Sequence, residues 1–197
     1  MNILLSGGTG YIGKKVGCSL VHSGHNLTVL TRNKSSFEKT LPFPCKLKQW
    51  DGKSVSFEDD FDGIINLCGE SIASSRWNKN FKKKLLDSRI LSTKALVEGA
   101  REHKKIKFFI QASATGYYGD RENEVCLESS GPGRGYLCEL SKLWEKQLSP
   151  LKHSDIRLVT MRIGVVIGPA SAFLNRLETF YTAHQGAIPG SGSQWVP

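Results

Sequence analysis

The chain opens MNILLSGGTGYIGKK (residues 1–15), and the reading of the fold turns on GGTGYIG at 7–13, four glycines in seven positions between a short apolar run and a helix-like segment. Ile3–Ser6 has the composition of a buried strand, and from Tyr11 the pattern becomes helical. A strand, a glycine-rich turn and a helix together form the context of a phosphate-binding turn. Gly7 permits the tight turn off the strand, Gly10 lets backbone approach a pyrophosphate with no Cβ in the way, and Gly13 lets the helix lie close on the sheet. Thr9, Tyr11 and Ile12 complete the turn. The helix then faces the anion with unpaired N–H groups and the positive end of its dipole.

The end of the second strand selects the ligand. Val29-Leu30-Thr31-Arg32-Asn33-Lys34 carries a guanidinium where a carboxylate would bind the ribose 2′-hydroxyl of NAD. An arginine matches a 2′-phosphate bidentately and a carboxylate repels one, so Thr31 and Arg32 point to NADP(H).

Outward from this motif, strand-like runs recur at 3–6, 27–31, 45–49, 63–67, 107–112 and 156–162. Helix-like segments at 11–23, 79–101 and 136–148 separate most of them. Alternation of the two implies parallel strands joined by right-handed crossovers, hence a Rossmann-type, doubly wound α/β sheet. Residues 1–170 read as the dinucleotide-binding domain. Residues 171–197 hold one helical stretch near 172–183 and a Gly/Ser/Pro-rich tail, which reads as the start of an incomplete C-terminal substrate region.

At 197 residues, 39% hydrophobic and 23% charged, the composition is that of an ordinary globular protein. No apolar run approaches the roughly 18 residues of a membrane span, and no secretory leader is visible, so the expected setting is cytoplasmic. The five cysteines form no CxxC pair and have no histidine at ligand spacing, which argues against zinc and against a disulfide framework. The net charge of +9 includes clusters at Lys79–Lys84 and Arg101–Lys107. Without the aromatic-basic interleaving of a nucleic-acid-binding sheet, exposed helix lysines account for it, so no nucleic-acid partner is expected. Nothing in the sequence sets the oligomeric state.

The chain resembles the extended short-chain dehydrogenase/reductase superfamily, in its atypical, sugar-nucleotide epimerase-like (NAD-dependent epimerase/dehydratase) branch. The matching stretches are GGTGYIG, INLCGESI (65–72), RW (76–77), DSRILSTKALVEG (87–99), SATGYYGD (113–120), MRIGVVIGP (161–169) and GSGSQW (190–195). The resemblance implies that Leu67, Cys68 and Gly69 pass beneath the cofactor, and that Arg89, where extended members usually carry asparagine, is a second phosphate or ribose contact. Asp51 falls where the family touches the adenine amine, and equally suits a surface turn before Gly52. The resemblance also implies a substrate-capping lobe after GSGSQW, which this sequence lacks.

The same resemblance implies a YxxxK pair, a phenol acid/base with a lysine one turn on. With Lys142 on the motif lysine, Cys138 takes the tyrosine's place; with Tyr136 on the tyrosine, Leu140 takes the lysine's. A Cys138–Lys142 pair is either an activated thiol or a core cysteine beside a surface lysine. Ala114 stands at the usual serine position, and Ser113 is the expected polar group; Tyr117 and Tyr118 either supply a phenol or pack at the sheet edge. Ser113, Tyr117 and Lys142 are thus the candidate catalytic residues of an NADP(H)-dependent oxidoreductase or epimerase without the usual tyrosine. Its substrate would be a small molecule, a nucleotide sugar or a carbonyl compound. The alternative is a catalytically impaired protein that binds NADP(H) as a sensor or scaffold.

Overall fold

A computed structural model describes residues 1–57, 59–183, 186, 192 and 193. Six strands, β1 (Asn2–Ser6), β2 (Asn26–Thr31), β3 (Lys46–Gln49), β4 (Gly63–Asn66), β5 (Phe108–Ala114) and β6 (Arg157–Ile163), form one sheet in the order β3-β2-β1-β4-β5-β6. Every pairing is parallel. The helices are α1 (Tyr11–His22), α2 (Lys34–Phe37), α3 (Lys79–Glu102), α4 (Tyr136–Lys146) and α5 (Ala172–Thr182). This is the doubly wound Rossmann-type fold that strand–helix alternation predicts, with the strand order reversing between β1 and β4.

Strand periodicity sorts the core into two layers. Ile3 and Leu5 face one side with Leu27, Val29 and Ile65, against which Cys18, Leu20 and Val21 of α1 pack. Leu4 faces the other side with Leu30, Ile64 and Phe109, covered by Ala95, Leu96, Val97 and Ala100 of α3. A strand buried on both faces reads as a near-continuous apolar run, which is why β1 and β4 are recognisable from sequence.

Differences at element ends have local causes. β5 runs two residues past its expected end because Ser113 and Ala114 pair with Arg162 and Ile163. Helix α4 stops at Lys146 and gives way to a 3₁₀ turn at Ser149–Leu151, which Pro150 suits. The four-residue α2 has no sequence expectation; Asn33 caps it by accepting from the backbone N–H of Ser36 at 3.2 Å. Past Ala183 only residues 186, 192 and 193 are among those described, so GSGSQW lies largely outside them. Among the described residues no helix is long and apolar enough to cross a membrane.

At the switch point the buried polar groups are tied together. Asn66 accepts from Ser6 Oγ (2.5 Å) and from the N–H of Cys68 (3.1 Å), and donates to Gln111 Oε1 (2.8 Å) and Thr93 Oγ1 (3.0 Å). Trp144 Nε1 on α4 donates to the same threonine oxygen at 2.8 Å. One side chain therefore joins β1, β4, β5 and α3 at the point where the strand order reverses. Replacing Asn66 by leucine strands several buried partners and is expected to cost about 3 kcal/mol of stability. Denaturant unfolding measures it, and a loss below about 1 kcal/mol contradicts the network's role.

Candidate functional site

The carboxyl ends of β1, β2 and β4 open into a cavity of about 710 Å³, within the range of small-molecule pockets. Gly7, Thr9 and Gly10 form its wall on the β1 side, and Thr31 and Arg32 close it beyond β2. Leu67, Cys68 and Gly69 line it after β4. Eight of the twelve residues expected to hold a cofactor thus meet around one space.

Steric limits explain the glycines. Gly7 has φ +71°, and a Cβ there would sit 2.6 Å from the carbonyl oxygen of Leu67. A Cβ on Gly13 would fall 2.2 Å from the carbonyl oxygen of Gly7, so α1 lies as close to the turn as backbone allows. Gly10 is different: a Cβ there would meet only that same oxygen, at 3.3 Å, and would otherwise project into unfilled space. Gly10 caps α1 without any side-chain hydrogen bond to the helix end. Tyr11, Ile12 and Gly13 supply the first-turn N–H groups, which lack intrahelical partners. Tyr11 also extends its hydroxyl to Gly168 beyond β6, 2.5 Å from where a Cβ would stand.

Arg89 sits beneath Gly69, its Cζ 3.0 Å from the position of a Gly69 Cβ. Its guanidinium lies 5.0 Å from the centroid of the Trp144 ring and donates to the carbonyl of Leu85 at 3.0 Å. Burial pushes its pKa down against the pull of Tyr136 and Glu70. The Cys68 thiol is pushed up by burial, opposed by Ser6, Arg32 and the N–H of Gly7, so it stays protonated. Asp51 lines the same cavity and also makes a turn: its carboxylate accepts from the backbone N–H of Lys53 at 2.8 Å, which helps hold its carboxyl below the ordinary range.

The candidate catalytic residues separate into two places. Ser113 is buried and donates to Glu145 Oε1 at 2.6 Å. Arg162, its register partner on β6, grips the same carboxylate through Nε and Nη2, each at 2.9 Å. Arg162 also donates to the Tyr118 hydroxyl at 2.9 Å and lies 3.6 Å from the centroid of the Tyr117 ring. Glu145 holds this guanidinium well above its ordinary pKa. Tyr117 therefore packs, edge-on to Tyr118, and Ser113 has its proton committed.

Lys142 stands on the outer side of α4, 53% exposed and 3.7 Å from Glu139. Cys138 is buried and donates to the carbonyl of Arg134, as a core cysteine does. Tyr136 turns toward α3 and donates to the carbonyl of Lys82 at 2.6 Å. Sequence reasoning overlooked Glu145 and Arg162; the β5–β6 register brings Arg162 beside Ser113, and α4 carries Glu145 to both.

This site can be compared with known proteins. Residues 3–197 match the NAD dependent epimerase/dehydratase family. The chain belongs to that family. An epimerase family protein of Mycobacterium bovis is 32% identical over 194 residues, covering 98% of this chain and 63% of its own length. An epimerase family protein of Bacillus subtilis is 33% identical over 202 residues, covering all of this chain and 65% of its own length. The crystal structure of the human epimerase family protein SDR39U1 (isoform 2) with NADPH is 28% identical with a TM-score of 0.86; it covers this whole chain and 65% of its own. The chain thus spans less than two thirds of the length of these relatives.

The two clusters around α4 call for opposite mutational outcomes. Glu145→Ala leaves the half-buried Arg162 uncompensated and is expected to cost about 3 kcal/mol of stability. Lys142→Ala removes an exposed pair and should change stability by less than about 0.5 kcal/mol. Unfolding midpoints compare them directly, and similar losses for both contradict this division.

Proposed function

We propose that this chain binds NADP(H) in the strand-end cavity and acts as an oxidoreductase or epimerase-type enzyme on a small carbonyl compound or a nucleotide sugar. One observation carries the reading: bare glycine backbone at the N-terminus of α1 and the cation Arg32 border the same cavity. The fit is chemical. The helix end suits a diphosphate, and the guanidinium beyond β2 suits a 2′-phosphate that an acid there would repel. The relative with NADPH supports the same choice. When bound, the nicotinamide supplies hydride transfer, and the protein's share is to bind and orient. Arg89, under Gly69, is read as supporting the cofactor-facing backbone. The five free cysteines accord with a reducing, cytoplasmic setting.

The arrangement around Ser113 favours a second reading, an NADP(H)-binding sensor or scaffold without turnover. The serine proton is held by Glu145, Cys138 occupies the phenol's place in one register, and Lys142 faces outward. NADPH binding with no oxidation in the presence of a panel of carbonyl compounds supports that second reading; carbonyl-dependent oxidation supports the first.

Arg32→Glu separates the two coenzymes. It is expected to weaken NADPH about hundredfold, through a lost charge-assisted pair and a new repulsion, and NADH by less than about threefold. Equal losses for both, by fluorescence titration, remove the argument for the 2′-phosphate.

A further inference from the structure

Glu70 stands apart from the other two acids that line the cavity, since Asp51 is exposed in its turn and Asp87 pairs with Lys83. The space read above as the seat of a polyanion is lined, one residue past Gly69, by a carboxylate whose side chain is only 14% exposed. Like charge makes Glu70 a poor neighbour for a phosphate. A carboxylate is, however, a strong acceptor for hydroxyl groups.

Its position is built. The backbone N–H of Glu70 donates to Ser88 Oγ of α3 at 3.1 Å, which fixes where the side chain starts. Ser74 Oγ donates to Oε1 at 3.0 Å, and Lys84 Nζ lies 3.3 Å from Oε2. Among the described residues these two contacts take one acceptor position on each oxygen, of about four that a carboxylate offers. Burial pushes the Glu70 carboxyl up, but Ser74, Lys84 and the charge of Arg32 outweigh it and hold it below the ordinary range, so it is ionised at neutral pH. An oriented, ionised carboxylate with acceptor capacity to spare therefore lies in the cavity along with the glycine turn and Arg32.

We infer that Glu70 is a ribose-binding residue: its carboxylate accepts hydrogen bonds from ribose hydroxyls that NADPH and NADH share, the 3′-hydroxyl of the adenosine ribose or those of the nicotinamide ribose. This rests on the proposed NADP(H) site. Along the cavity, functions divide by charge: helix N–H groups for diphosphate, Arg32 for the 2′-phosphate, Glu70 for sugar hydroxyls. Because NADPH and NADH both carry ribose hydroxyls, the contribution of Glu70 does not depend on the 2′-phosphate.

The test is titration of the full chain with NADPH and with NADH, following ligand fluorescence, for wild type, Glu70→Ala and Glu70→Gln. The alanine variant is expected to weaken both coenzymes by about tenfold and by the same factor. The glutamine variant keeps an acceptor oxygen without the charge and should fall between. Thermal melts of each variant identify loss of fold, and Glu70→Gln carries the test if Glu70→Ala is unfolded. Unchanged or tighter binding in a folded variant overturns the inference, since it means that Glu70 only repels the ligand; so does a loss confined to NADPH. Failure of the wild type to bind either coenzyme overturns the cofactor site itself and this inference with it.

Discussion

The structure depends on how closely the turn after β1 can approach its neighbours. The carbonyl of Gly7 lies where a Gly13 Cβ would collide at 2.2 Å, and Gly7 itself abuts Leu67 at the end of β4. Three pieces of backbone, from β1, α1 and β4, converge with no side chain between them. That convergence aims the first turn of α1 at the cavity and leaves its N–H groups for an anion. A side chain at Gly7 or Gly13 would force these elements apart and rotate the helix end away. The chemistry proposed for the cavity follows from this spacing, with Arg32 and Glu70 proposed to meet the 2′-phosphate and the ribose hydroxyls.

Beneath the cavity, Asn66 gives that convergence a buried polar anchor. It ties the end of β1 through Ser6 to β5 through Gln111 and to α3 through Thr93, and Trp144 reaches the same threonine from α4. A fully satisfied buried network of this kind favours one arrangement of the elements over near alternatives. On the far side of the switch point, the Ser113–Glu145–Arg162 cluster does comparable work for β5, β6 and α4. Ser113, a candidate catalytic residue on sequence grounds, is thereby held as part of a structural clamp.

Legibility in the sequence followed the range of the interactions. The glycine turn, Arg32 and the strand–helix alternation are local patterns, and they were readable because spacing of a few residues determines them. The four helices of eleven or more residues and the central strands came out within one or two residues for the same reason. Ser113, Glu145 and Arg162 lie 17 to 49 residues apart in the chain and meet only through the parallel register of β5 with β6 and the docking of α4 beside it. No sequence spacing encodes that meeting. Glu70 was in plain view within INLCGESI, yet its meaning depends on Ser74 and Lys84 turning toward it and on the cavity it lines. Lys142, expected to assist chemistry, faces water because the neighbouring Ser141 and Trp144 take the buried face of α4.

The central claim is that the amino end of α1 receives a dinucleotide diphosphate. Backbone amide chemical shifts of the isotope-labelled chain, followed during titration with NADPH, test it at the atoms concerned. Saturable displacement of the amide signals of Gly10, Tyr11, Ile12 and Gly13 is the predicted result. Saturable binding that leaves those signals in place, or an absence of binding at millimolar coenzyme, would contradict the account.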